Sequence, residues 1–241
     1  MIQLSGYTSI AQLKDNPFFE GVLYYTVNTD PEETDTATVF VQKNKILSIW
    51  NGKILKRKGT TKILIVADDN THDYRFQDKR KVILKDIPNN EFAKRNFTLS
   101  GRDTVAGFSS LKYYSSYATN DNPRKVTNTY KKAISVFPDL KFRDKDTYLV
   151  NFFVYKGNFI TKIVDTFYFA DSKYPYIVIT KLLKIDYKRP DDKLFDLPKD
   201  YVIQPFQMNY SGSYFLSRMK MKYKKLLKKS RSVKKELIKY R

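Results

Sequence analysis

The run YIVITKLLKI (Tyr176–Ile185) leads without a break into KIDYKRPDDKLFDLPKDYVI (Lys184–Ile203). Its first half is dense in β-branched and large apolar residues and reads as a strand. Its second half carries Pro190, Pro198 and five aspartates, which suit a surface loop. The stretch therefore closes a β-rich domain and holds nothing with the make-up of an active site. That combination points to a binding or carrier fold.

Upstream, GVLYYTVN (Gly21–Asn28), TATVFVQK (Thr36–Lys43), KILIVAD (Lys62–Asp68) and TYLVNFFVY (Thr147–Tyr155) have the same strand character. Asn51-Gly52 predicts a type I′ hairpin, and Lys156-Gly157 a second tight reversal. Asp69-Asn70 and Asp78-Lys79 mark weaker reversals. Sequential hairpins imply an antiparallel meander, because parallel neighbours need crossovers of a dozen or more residues. Helices are expected at Ser9–Asp15, Pro138–Asp144 and the C-terminus. In Val22-Leu23-Tyr24-Tyr25-Thr26-Val27 both alternations are apolar, so both faces of the sheet are expected to be covered.

At 241 residues the chain can build a core that removes roughly 70–75% of its surface from water. It has no cysteine, which excludes thiolate catalysis, Cys-based zinc sites and a disulfide framework. The first 19 residues lack a basic n-region and an apolar run. The expectation is either a cytoplasmic chain or a mature form whose signal was removed. No apolar window is long enough for a transmembrane helix.

The net charge of +20 is uneven: Arg218–Arg241 holds 12 Lys/Arg against Glu236 alone. Met219, Tyr223, Leu226, Ser230, Val233, Leu237 and Tyr240 recur at steps of four and three, which predicts a basic amphipathic helix about 36 Å long. Lys220, Lys224, Lys225, Lys228, Lys229 and Arg231 are the candidates for contact with an anionic surface. A nucleic-acid role through phosphate neutralisation is the alternative. A solvated charged tail is the plain reading.

Catalytic and metal constellations are weak. His72 is the only histidine and has no nucleophile elbow to serve. Asp68, Asp69, His72 and Asp73 suit a solvated turn better than a metal site, lacking the glycine and terminal glutamate of a calcium loop. Asp191 and Asp192 sit side by side between prolines, and adjacent residues of an extended chain point apart. No catalytic residue, metal ligand or cofactor is expected.

Further residues carry a resemblance. Ala106-Gly107 with Lys112-Tyr113 fits an A-G-x-x-x-x-K-Y segment, and Phe195, Pro198 and Tyr201 fit F-x-x-P-x-x-Y after the last strand. Across Gly21–Phe206 the chain resembles bacterial envelope proteins of the lipoprotein-carrier (LolA/LolB-like) fold, particularly the secreted relatives common in Bacteroidetes. The resemblance implies a mainly β fold: a strongly curved antiparallel sheet, an open half barrel, with a few capping helices; the basic C-terminal helix expected from the tail's own periodicity lies outside the shared pattern. It divides the chain into an N-terminal helical or irregular segment (1–20), the β domain (21–212) and the tail (213–241).

The resemblance further implies a non-enzymatic periplasmic or secreted protein that holds an apolar ligand, a lipid or acyl chain, or contacts an envelope partner. Expected partners are a lipid or lipidated protein and an anionic membrane surface, with nucleic acid behind them and a monomeric state. Large strand aromatics Tyr24, Phe40, Trp50, Phe153 and Phe167 are the cavity candidates, although a one-residue slip would exchange the two faces.

Overall fold

The computed structural model describes residues 17–30, 33–52, 60–67, 71–77, 81–87, 97–119, 128–143, 147–149, 153–169 and 175–205. Among them the strands are β1 (Gly21–Asp30), β2 (Glu33–Gln42), β3 (Lys45–Asn51), β4 (Thr60–Ala67), β5 (Thr71–Gln77), β6 (Lys81–Ile87) and β7 (Thr98–Val105). They continue with β8 (Phe108–Thr119), β9 (Asn128–Lys141), β10 (Val154–Tyr155), β11 (Asn158–Tyr168), β12 (Tyr176–Asp186) and β13 (Val202–Pro205). All belong to one large sheet of order β13-β6-β5-β4-β3-β2-β1-β12-β11-β9-β8-β7, with β10 beside β11. The chain is mainly β and the sheet is antiparallel, except that β13 joins β6 in parallel.

Short reversals set the meander. Ala106 and Gly107 at φ 51° and 84° link β7 to β8, and Lys156 and Gly157 at φ 50° and 70° link β10 to β11. Positive φ at both central positions gives the twist that a two-residue hairpin needs. Between β3 and β4 the expectation fails. Asn51 pairs with Thr60, so Asn51-Gly52 opens an eight-residue connection, and the two-residue turn instead lies at Lys43-Asn44, with Lys43 at φ 48°.

Two other expectations are corrected. Pro138–Lys141 ends strand β9, so the helix predicted over Pro138–Asp144 is absent there; β-branched and aromatic neighbours Ile134, Val136 and Phe137 carry the extended backbone through the proline. Thr147–Tyr155 is no continuous strand. Leu149 bridges Val154 and the segment doubles back. Among the described residues the one helical element is a 3-10 turn at Asp192–Phe195. The segments 9–15 and 218–241 lie outside the described residues.

The chain divides into two compact units. The smaller contains 117–130, 167–176 and 207–241, and its described part is an aromatic cluster. Phe167 lies 4.7 Å from Tyr130, 6.1 Å from Tyr176 and 6.4 Å from Phe169, centroid to centroid.

In the larger unit, strand register sorts the side chains onto two faces, both apolar. Leu23, Tyr25, Ala37, Val39, Val41, Ile46 and Ile65 lie on what we call the core face, and Phe19, Phe142, Leu149, Phe153, Val154 and Phe159 join them in one buried cluster. On the opposite face Phe40, Leu47, Leu64 and Tyr74 align across β2–β5. Phe195 and Leu197 of the 3-10 turn segment cover them. Each such side chain removed from water contributes about 1.5–3 kcal/mol.

The second cover is fixed at its ends. Asp191 accepts from the Lys193 N–H at 3.0 Å, capping the turn. Asp192 accepts from Gln42 and from Arg189 at 3.2 Å, and Arg189 also reaches Glu20. Beyond the turn, Tyr201 packs edge-on against Phe76 at 5.9 Å. The F-x-x-P-x-x-Y phrase is thus a clamp over β2–β5, and the paired aspartates belong to it.

Candidate functional site

The centre of the core face is a three-ring stack. Phe153 lies 4.2 Å from Tyr25 at 14° and 5.6 Å from Trp50 at 23°. Tyr25 donates its hydroxyl to the Ile160 carbonyl at 2.8 Å, and burial raises its pKa far above the ordinary phenol value. Trp50 donates to Ser48 Oγ at 3.3 Å. Phe153 reaches the stack from a backbone at φ 66°, an outlier for a bulky side chain that costs about 1–2 kcal/mol. The mutual bonds of Leu149 and Val154, at 2.9 and 3.0 Å, and Ile160 N–H to Phe153 O at 2.7 Å hold it there.

Beside this stack the cluster ends in an aromatic rim. Tyr155 is its hub: Tyr113, Phe97 and Tyr148 lie 5.0, 5.2 and 5.5 Å away, at angles from 59° to 79°. Such edge-on and tilted contacts are the favoured arrangement for aromatic quadrupoles. Tyr155 is buried while the other three rings are half-exposed. Burial, and then the phenols of Tyr148 and Tyr113, push the Tyr155 hydroxyl up to about 12. Burial and then Tyr148 also raise Tyr113.

Lys156 stands over this rim, its Nζ 5.5 Å from the Tyr113 centroid and 5.6 Å from that of Tyr155, within cation–π range. The tight Lys156-Gly157 turn positions it. Gly157 donates its N–H to Thr147 O at 2.8 Å and its carbonyl accepts from Phe142 at 2.8 Å. Asn158 Nδ2 donates to Lys156 O at 2.7 Å.

Of the five cavity candidates, Trp50 and Phe153 meet in the stack. Tyr24 lies on the opposite alternation of β1 beneath Lys184, whose Nζ is 5.9 Å from the ring. Phe40 belongs to the cluster under Phe195, and Phe167 to the smaller unit. The anionic-surface candidates Lys220, Lys224, Lys225, Lys228, Lys229 and Arg231 lie outside the described residues. Sequence reasoning missed Tyr25, Phe97, Tyr148 and Tyr155, and quoted Tyr113 only within a motif.

Two acidic positions depart from the sequence expectation or extend it. Asp73 is not solvated: strand alternation places it on the core-face row of Val41, Ile46 and Ile65, fully buried. Its Oδ2 accepts Arg75 Nε and Nη2 at 2.9 and 2.8 Å, and Oδ1 has no partner among the described residues. Asp103 on β7 accepts from Ser135 Oγ at 2.9 Å and Lys162 Nζ at 3.2 Å. Among the described residues no group of three or more acids or histidines is placed to hold a metal ion.

No family model matches the chain, and no curated protein matches it. Solved structures do show similarity. PNGF-II is 14% identical at a TM-score of 0.47, with 78% of this chain aligned to 31% of that one. In the Pseudomonas aeruginosa MucA/MucB complex, a chain 10% identical aligns with 80% of this one and 61% of its own length, at a TM-score of 0.43. LprF from Mycobacterium bovis is 14% identical at a TM-score of 0.31, over 76% of this chain and 90% of that one. The chain thus spans about a third of the PNGF-II chain it matches, and below a TM-score of 0.5 the fold rests on the sheet itself.

Proposed function

We propose that this chain is a non-enzymatic, periplasmic or secreted envelope protein that binds an apolar ligand, a lipid or acyl chain, or an envelope partner on the core face of its sheet. The half-barrel enclosure implied by the lipoprotein-carrier resemblance belongs to this proposal. The observation that carries it is the aromatic cluster on that face, where Tyr25, Trp50 and Phe153 continue into half-exposed Phe97, Tyr113 and Tyr148. Binding sites for small ligands combine such apolar walls with a few polar groups. Native and lipid mass spectrometry of protein recovered from its host tests this. A retained stoichiometric apolar molecule supports it, and consistently empty protein refutes the ligand arm.

The basic segment Arg218–Arg241 supplies a second reading, favoured by its 12 Lys/Arg against one acid. It associates the protein with an anionic surface through Lys220, Lys224, Lys225, Lys228, Lys229 and Arg231, each near-surface cation contributing about 1 kcal/mol. Nucleic acid released only when this segment is deleted, with a steep salt dependence, would replace the membrane with a polynucleotide.

A further inference from the structure

The rim has an excess of donors. Among the described residues nothing hydrogen-bonds the hydroxyls of Tyr113, Tyr148 and Tyr155, and no carboxylate pairs with Lys156. Asp73 Oδ1 is the one sealed side-chain polar atom left unpartnered among the described residues, so the three hydroxyls reach solvent. Elsewhere on the core face the pattern differs: Tyr25 and Trp50 both satisfy their donors internally. A phenol donates one hydrogen bond and an ammonium donates up to three but accepts none. The group that completes this set is an acceptor, and the Lys156 charge makes it an anion.

The walls say what bears that anion. Phe97, Tyr113 and Tyr148 form one array of edge-on and tilted rings around Tyr155, a surface for apolar chain or ring. A cationic ligand would meet Lys156, which already stands over two of the rings. We propose that the hydroxyls of Tyr113, Tyr148 and Tyr155 and the ammonium of Lys156 receive the carboxylate or phosphate head of an anionic amphiphile whose apolar part lies against these rings. This deepens the apolar-ligand reading and rests on it.

Titration calorimetry of the full chain tests it with decanoate, decyl phosphate, decyl maltoside and decyltrimethylammonium below their micellar concentrations, and with acetate and inorganic phosphate alone. The anionic amphiphiles are expected to bind at least tenfold more tightly than the neutral and cationic ones, with affinity falling as salt rises. Lys156→Met should weaken the anionic probes about tenfold and Tyr148→Phe about threefold, in line with the loss of hydrogen bonds to a charged group. Binding of decyl maltoside, a neutral acceptor, should change less than that of the anionic probes in both variants. Lys156 is exposed and Tyr148 is half-buried, and equal melting temperatures establish that the variants fold.

Equal binding of all four amphiphiles, unchanged in the variants, overturns the anion site and leaves the apolar-ligand reading standing. Binding of phosphate with no gain from a decyl chain overturns the amphiphile and that reading with it. No binding by any probe overturns the inference, and mass spectrometry of the native protein then decides the reading separately.

Discussion

Phe153 offers the sharpest test of the core face, because its ring stabilises the fold while its backbone opposes it. Phe153→Ala removes a ring that is 1% exposed and stacked on Tyr25 and Trp50, a loss of about 3–5 kcal/mol. Alanine keeps the strain of φ 66°. Phe153→Gly loses the same ring but relieves about 1–2 kcal/mol of left-handed strain, against about 0.4–1 kcal/mol of added unfolded-chain entropy. The glycine variant is therefore expected to be the more stable by about 0.5–1 kcal/mol, or roughly 1–4 °C in melting temperature. Trp50 is the sole tryptophan and adjoins the site, so its fluorescence in urea or heat follows both variants. A glycine variant less stable than the alanine variant, the usual order in extended backbone, would refute the placement of Phe153.

Acid should act on the Asp103 network. Desolvation pushes that carboxyl up, but hydrogen bonds from Ser135, Lys162 and the Thr104 N–H and the charge of Lys162 outweigh it and hold the pKa below its ordinary value. This stability is present above the unfolded value of about 4 and disappears as pH falls through the lowered folded value. Ser135→Ala should accordingly melt below wild type at pH 6 and converge with it near pH 2, as read by thermal scans across that range. Phe195→Ala uncovers Leu47 and Leu64 and should cost about 3–5 kcal/mol in urea denaturation. Gly107→Ala adds a methyl with nothing within 4 Å, at φ 84°, and should cost about 1–2 kcal/mol of torsional strain. Gly21→Ala should cost more than Gly107→Ala in the same denaturation assay, because its methyl would stand 2.3 Å from the Asp186 carbonyl oxygen. Deleting Arg218–Arg241 should abolish co-sedimentation with anionic vesicles while leaving the β-type circular dichroism in place.

Much of the sheet was legible because burial on both faces leaves continuous apolar runs that short turns punctuate. Gly21–Asn28 and Tyr176–Ile185 fall within β1 and β12. The covers were harder to read. Phe195 and Leu197 sit among acids and prolines, so composition suggests a solvent-facing loop, and only the sheet opposite shows that two side chains anchor it. Thr147–Tyr155 misleads in the other direction: its aromatic density is that of a strand, but the density serves a segment that turns back over a sheet already formed. The site shared that difficulty. Tyr24 and Tyr25 are equivalent in composition, and strand register alone places Tyr25 beneath Phe153 and Tyr24 beneath Lys184.

The energetics also indicate where on the core face the proposed ligand would first gain a foothold. At the centre, a ligand competes with Phe153. Lifting that ring into water costs about 1.5–3 kcal/mol, of which release from φ 66° returns about 1–2 kcal/mol. The balance is small but unfavourable, and it grows with each hydrogen bond that holds the Leu149–Val154 turn. At the rim nothing has to leave. Phe97, Tyr113 and Tyr148 are already half-exposed, their neighbour Tyr155 is held by three ring contacts, and Lys156 is set by a turn whose bonds a ligand does not disturb. Pre-organised donors lose little freedom on binding. On the reading proposed above, the rim is where an amphiphile would bind before any rearrangement, and the centre would follow only for a ligand whose apolar part replaces the contacts of Phe153.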